Sequence, residues 1–128
     1  MKSEPNFSPS VDCEWIGTGN DYIHNDPDGK NMRLDAHAVV KDKSGSYVYI
    51  HYSGVVEITP ELKLILGGKE EAKTTEFGHS FVEMRFETGE EKLKGLELGT
   101  FVGAGRFVVE KDKPVVVEYR VSQAVKGS

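Results

Sequence analysis

LDAHAVVKDKSGSYVYIHYSGVVEI, residues 34–58, is the stretch whose reading decides the fold. Two apolar-rich runs, 34–42 and 47–58, flank the turn formers Lys43-Ser44-Gly45-Ser46. Valine, isoleucine and tyrosine suit a pleated, half-buried surface, and Ser-Gly between two such runs is a hairpin signal. Strand side chains alternate between two faces, so each run divides by parity. Asp35, His37 and Val39 oppose Ala36, Ala38 and Val40, while Tyr47, Tyr49, His51 and Ser53 oppose Val48, Ile50 and Tyr52. One set is apolar and the other carries histidine, tyrosine and aspartate.

The same pattern extends outward from the hairpin. HSFVEMRFE (79–87) reads as a further strand, with His79, Phe81, Glu83, Arg85 and Glu87 on one face and Ser80, Val82, Met84 and Phe86 on the other. TFVGAGRFVVE (100–110) and PVVVEYRVSQAV (114–125) form a closing hairpin across Lys-Asp-Lys-Pro, and VDCEWIG (11–17) is an earlier strand. The segment GNDYIHNDPDGKN (19–31) is rich in turn formers and reads as a loop. Two segments have helical signals. TPELKLILGG (59–68) offers Thr59 as N-cap, Pro60 at the first helical position and glycines at its end, and GEEKLKGLELG (89–99) supplies one turn. Five or more antiparallel strands on short turns make an all-β barrel or sandwich. Glycines at 54, 78, 99, 103 and 105 favour the tight coiling of a small barrel. Residues 11–126 form one domain, and MKSEPNFSPS (1–10) reads as a flexible arm without the apolar stretch of a secretory signal.

Composition excludes several functions. The 128 residues suffice for one core, and the apolar runs are too short to span a bilayer. The net charge of −5 comes without a basic cluster, which disfavours nucleic acid and membrane surfaces as partners. One cysteine, Cys13, cannot form an internal disulfide and fits a reducing, cytoplasmic setting. A small molecule or a second copy of the chain is the expected partner. There is no Gly-x-Ser-x-Gly elbow, and Gly17-Thr18-Gly19-Asn20 is not followed by a helix. His37, His51, His79 and Glu83 lack the tight ligand spacings of linear metal motifs, so neither a metal nor another cofactor is expected.

A set of motifs in fixed order adds to this reading. Gly17, Gly19, Asp21 and Tyr22 come first, then Asp28-Gly29 and Leu34-Asp35-Ala36. A strand ending in Gly54 follows, and then Phe86-Glu87-Thr88-Gly89, Phe101-Val102-Gly103 and Gly105. Over 17–125 the chain resembles the bacterial and fungal family known as domain of unknown function 3237. The resemblance implies a small antiparallel barrel of lipocalin-like or calycin-like shape, paired as a homodimer, with a central cavity. Against the family pattern, Tyr22 stands for a tryptophan, His37 for an arginine, and Gly95 and Glu97 for the first and last residues of Trp-Leu-Asn. If these positions line the cavity, Gly95 opens space and Glu97 adds an ionisable group.

The polar rows then have two readings. They are the wet face of an antiparallel sheet, or they line the barrel cavity, for which the scarcity of lysine among them argues. In a cavity, glutamate with a pKa raised by desolvation and histidine titrating near neutrality transfer protons without a cofactor, contributing about 10²–10⁴-fold in rate. On that reading Asp35, His37, His51, Glu87 and Glu97 are the candidate acids and bases. Tyr22, Tyr49, Glu83, Arg85, Phe101 and Tyr119 bind or orient the substrate. Glu87 has an equally strong alternative as the cap of the Thr88-Gly89 turn. The expected function is a cofactor-independent isomerase, cyclase or dehydratase (lyase) of small-molecule, natural-product metabolism. The alternative is a non-catalytic carrier of a hydrophobic metabolite, recognised by an apolar cavity with one or two polar anchors.

Overall fold

The structure, a computed structural model, describes residues 1–127. Its strands are β1 (Cys13–Asp21), β2 (His24–Asn25), β3 (Asn31–Asp42), β4 (Tyr47–Glu57), β5 (Ser80–Glu87), β6 (Phe101–Val108) and β7 (Val116–Gln123). They form one antiparallel sheet in the order β1-β3-β4-β5-β6-β7, with β2 extending the β1 edge along β3. The sheet curls into a half-barrel. Its two edges, β1 and β7, face each other across a gap rather than pairing.

The alternation predicted for the central hairpin is the one observed. Val40 and Val48, paired across the β3–β4 ladder, are completely buried. Along β5 burial alternates residue by residue, with Ser80, Val82, Met84 and Phe86 inside. Burying a side chain of valine to phenylalanine size stabilises by about 1.5–3 kcal/mol relative to exposure, so these rows hold the curl in place. Curvature needs a close approach at one point. A Cβ at Gly54 would lie 2.0 Å from the carbonyl oxygen of Phe81, so only glycine lets β4 and β5 meet there.

Two short helices close the ends of the concave side. In α1 (Pro60–Leu66) Thr59 caps the N-terminus by accepting from the Leu62 amide at 3.1 Å, and Leu62 and Ile65 pack on Met32 and Val56. A 3₁₀ turn (Glu91–Leu93) leads into α2 (Lys94–Leu98), which inserts Leu93 and Leu96 beside Phe86 and Phe101. The turn after β5 is held by Thr88, which donates to the Tyr47 carbonyl at 2.8 Å and accepts from the Glu90 amide. Glu90 in turn caps the 3₁₀ turn at Lys92. Glu87 has no part in that cap; it stands on the outer face of β5.

Two segments differ from expectation. The turn-rich run after Gly17 continues β1 as far as Asp21, because a bulge between Ile16 and Asn20 restores the pairing with β3. The N-terminal ten residues, read as a flexible arm, lie back along β1. Ser3 and Val11 exchange hydrogen bonds, and the Phe7 ring meets Phe101 edge-on at 6.2 Å between centroids. An apolar ring that reaches the core outweighs the turn-forming character of its neighbours. Among the described residues, no helix is long and apolar enough to cross a membrane.

Candidate functional site

The chemistry-bearing residues fall on two opposite faces of the sheet. On the convex face, Asp35 and His37 point the same way from β3, and His51 is the cross-strand partner of His37 on β4. The two imidazoles stack at 4.3 Å between centroids with 9° between planes. His51 Nε2–H donates to Asp35 Oδ1 at 2.8 Å, and His37 Nε2 lies 3.3 Å from the same oxygen. Behind His37 its Nδ1 is hydrogen-bonded to the Tyr49 hydroxyl. Both imidazoles are about one-third exposed and Asp35 about half. The hydrogen bond from His51 holds the Asp35 carboxyl below the usual aspartate range, helped by the positive charge each histidine can carry.

The rest of the convex row follows from register. Glu87 is opposite Tyr49, Arg85 opposite His51, and Glu83 opposite Ser53, all exposed. Beyond them an open hollow of about 690 Å³ runs past Ser53, Val55, Phe81, Glu83 and Val102.

The concave face is different in kind. In the gap between β1 and β7 lies a hollow of about 170 Å³ lined by Trp15, Ile50, Tyr52, Met84, Phe86 and Tyr119, with β7 valines at its rim. Tyr52 and Tyr119 meet edge-on at 5.2 Å between centroids. Tyr119 stands opposite Gly105 on β6, where a Cβ would come within 2.7 Å of its ring. The missing side chain is what lets the ring lie down onto the sheet. Burial pushes the Tyr119 phenol well above its ordinary range and raises Tyr52 as well, and the nearby Asp21 carboxylate adds to both shifts. These two hydroxyls are therefore neutral donors across the physiological range.

Over residues 2–124 the chain matches the family described as protein of unknown function (DUF3237). The chain belongs to this family. Solved structures similar to this DUF3237 chain share its fold. A β-barrel-like protein from Acinetobacter baumannii AYE superimposes with a TM-score of 0.64 at 19% identity, covering 91% of this chain and 70% of that one. A conserved protein of unknown function from Rhodopseudomonas palustris gives 0.68 at 20% identity, covering 88% and 71%. A protein of unknown function from Clostridium acetobutylicum ATCC 824 gives 0.64 at 18% identity, covering 89% and 71%. No curated protein matches the chain.

Within this DUF3237 fold the predicted site residues separate. Asp35, His37, His51 and Tyr49 are brought together, with Glu83, Arg85 and Glu87 on the same face, but that face is convex and does not line the cavity. The reason is packing. The opposite parity of each strand carries the apolar volume, and that volume goes inside. Glu97 lies apart on α2, where Lys94 Nζ donates to it at 2.6 Å and holds its carboxyl below the usual range. The space expected at Gly95 is taken by Pro9, whose Cδ would be 3.1 Å from a Cβ there. Tyr22 is exposed, its amide donating to the Asp35 carbonyl at 2.9 Å. Phe101 is core, packed edge-on against Phe86 at 5.2 Å. Of the predicted residues only Tyr119 lines the concave hollow. Its companion Tyr52 was overlooked in sequence; the signal was a phenol standing in the apolar row between Ile50 and Val56.

Proposed function

We propose that this protein binds a small, mostly apolar molecule in the concave hollow, with the Tyr52 and Tyr119 hydroxyls as its polar anchors. The observation that carries this reading is the 170 Å³ space itself, apolar on most sides and open at the gap between β1 and β7. A dry apolar cavity of about 150 Å³ is enough for benzene, so the ligand class is a single ring or short branched chain bearing one oxygen. Two neutral phenols suit a carbonyl or hydroxyl acceptor better than an anion. This is the carrier pattern, a few oriented polar groups in an apolar pocket.

The isomerase, cyclase or dehydratase reading needs an acid or base facing that molecule. Asp35, His37, His51 and Glu87 lie on the other side of the sheet, so on a concave ligand the proton donors within reach are the tyrosines, with Asp21 nearby. Binding therefore has stronger support than turnover.

The three methionines provide the test. Met1 and Met84 line the hollow, while Met32 sits in the separate cluster under α1. Titration of methyl-labelled protein with p-cresol should shift the Met1 and Met84 signals saturably and leave Met32 in place. Uniform shifts, or none up to millimolar p-cresol, would remove the groove from consideration.

A further inference from the structure

We propose that Asp35, His37 and His51 form a binding site for one divalent transition-metal ion of the zinc type, on the convex face and independent of the concave hollow. Each residue offers one ligand atom, and the three atoms lie within 4.8 Å of one another. Zinc bonds of about 2.0–2.1 Å in a tetrahedron place neighbouring ligands about 3.4 Å apart. The present separations of 2.8 and 3.3 Å from Asp35 Oδ1 to the two Nε2 atoms both fall short of that edge, the second only slightly. Seating the ion requires the closer pair, Asp35 and His51, to part by about 0.6 Å. Imidazole and carboxylate together suit zinc and its first-row neighbours rather than calcium or magnesium, which prefer oxygen ligands alone.

Three further features fit a metal better than a plain ion pair. Both imidazoles turn the same nitrogen, Nε2, toward one carboxylate oxygen. An ion pair needs only one imidazolium, and two stacked imidazolium rings 4.3 Å apart would repel each other. Shared coordination by two neutral rings removes that conflict, and an arriving metal displaces the proton that His51 Nε2 donates to Asp35. His37 also has the kind of outer partner that metal-bound histidines use: its Nδ1 is hydrogen-bonded to the Tyr49 hydroxyl, and with Nδ1 as the donor Nε2 is free to ligate. Finally, the ligands stand on β3 and β4, the most extensively paired strands in the sheet, so the backbone holds their spacing. Three protein ligands leave a fourth position for water, toward the exposed side of the cluster.

The experiment is calorimetric titration of the untagged chain with zinc chloride, paired with cobalt(II) substitution read by visible absorption. The expected result is one zinc per chain and the intense visible bands of tetrahedral cobalt. His37→Ala, His51→Ala and Asp35→Asn should each weaken zinc binding by more than about 100-fold, the most that loss of an outer partner usually costs, and Tyr49→Phe by about 10-fold. His79→Ala removes an exposed histidine paired with Glu57 elsewhere on the surface, and should change nothing. Circular dichroism on each variant separates loss of ligands from loss of fold, and Asp35→Asn keeps the side-chain shape. No zinc uptake by the folded parent chain, or uptake that survives His51→Ala, overturns the proposal.

Discussion

The two faces of the β3–β4 hairpin are made from alternate residues of the same strands, yet they are held together by different forces. Inward, Ala38, Val40, Val48 and Ile50 are positioned by volume: each fills space left by its neighbours, and nothing directional fixes it. Outward, Asp35, His37, His51 and Tyr49 are positioned by register and by hydrogen bonds to one another, with solvent on their far side. The inner face therefore carries stability and the outer face carries specific geometry. Changes on one face should leave the other largely untouched, because exposed polar contacts contribute little to folding while buried volume contributes most of it.

The largest effect expected is on the inner face. Phe86→Ala removes a buried ring that packs on Phe101 and borders the hollow, and should lower stability by about 3–5 kcal/mol in urea unfolding. His51→Ala, one residue along from buried Ile50, should hardly move the urea midpoint while abolishing any zinc uptake. Similar losses of stability in the two variants would break the division of labour between faces. A smaller effect is expected at Gly105. Gly105→Ala places a methyl 2.7 Å from the Tyr119 ring, and overpacking of this kind costs about 1–3 kcal/mol. The displaced ring should enter the hollow, so p-cresol would no longer shift the Met84 methyl. Retained p-cresol binding would show that the ring moves elsewhere and that the glycine bed does not shape the groove.

Strand existence was legible because the sheet has one apolar face and period-two burial is written directly into 79–87 and 34–58. The Thr59-Pro60 helix start was legible for the same kind of local reason, an N-cap side chain three residues before its amide partner. Which face the polar row would take was not. Histidine and tyrosine on a strand suit either a wet surface or a lined cavity, and the choice depends on where the apolar volume is needed once the sheet curls. The cluster at Asp35, His37 and His51 carries no linear ligand motif, since the two histidines stand 14 positions apart (51 − 37) and only the β3–β4 register makes them neighbours. Glu97 could not be placed from strand parity at all, because it sits on a helix and answers to Lys94.

The smallest effect at neutral pH, and the most direct comparison of the two faces, comes from the tyrosines. Of the five, Tyr52 and Tyr119 face the concave hollow while Tyr49 faces outward beside His37. Burial is the main cause of the upward shift in both concave phenols, most strongly in Tyr119, from an ordinary value of 10.0. A phenol whose folded pKa lies above its unfolded one favours the folded state fully below pH 10, and that contribution is lost as pH rises through the folded value. Stability should therefore be level near neutrality and fall above about pH 10, as the unfolded chain gives up its phenolic protons first. Absorbance titration should resolve a late-ionising component that Tyr119→Phe removes, and the variant's alkaline loss of stability should be shallower than the parent's. If all five phenols ionise together in the folded chain, the concave face is as wet as the convex one, and neither the groove nor its tyrosine anchors can be as the packing implies.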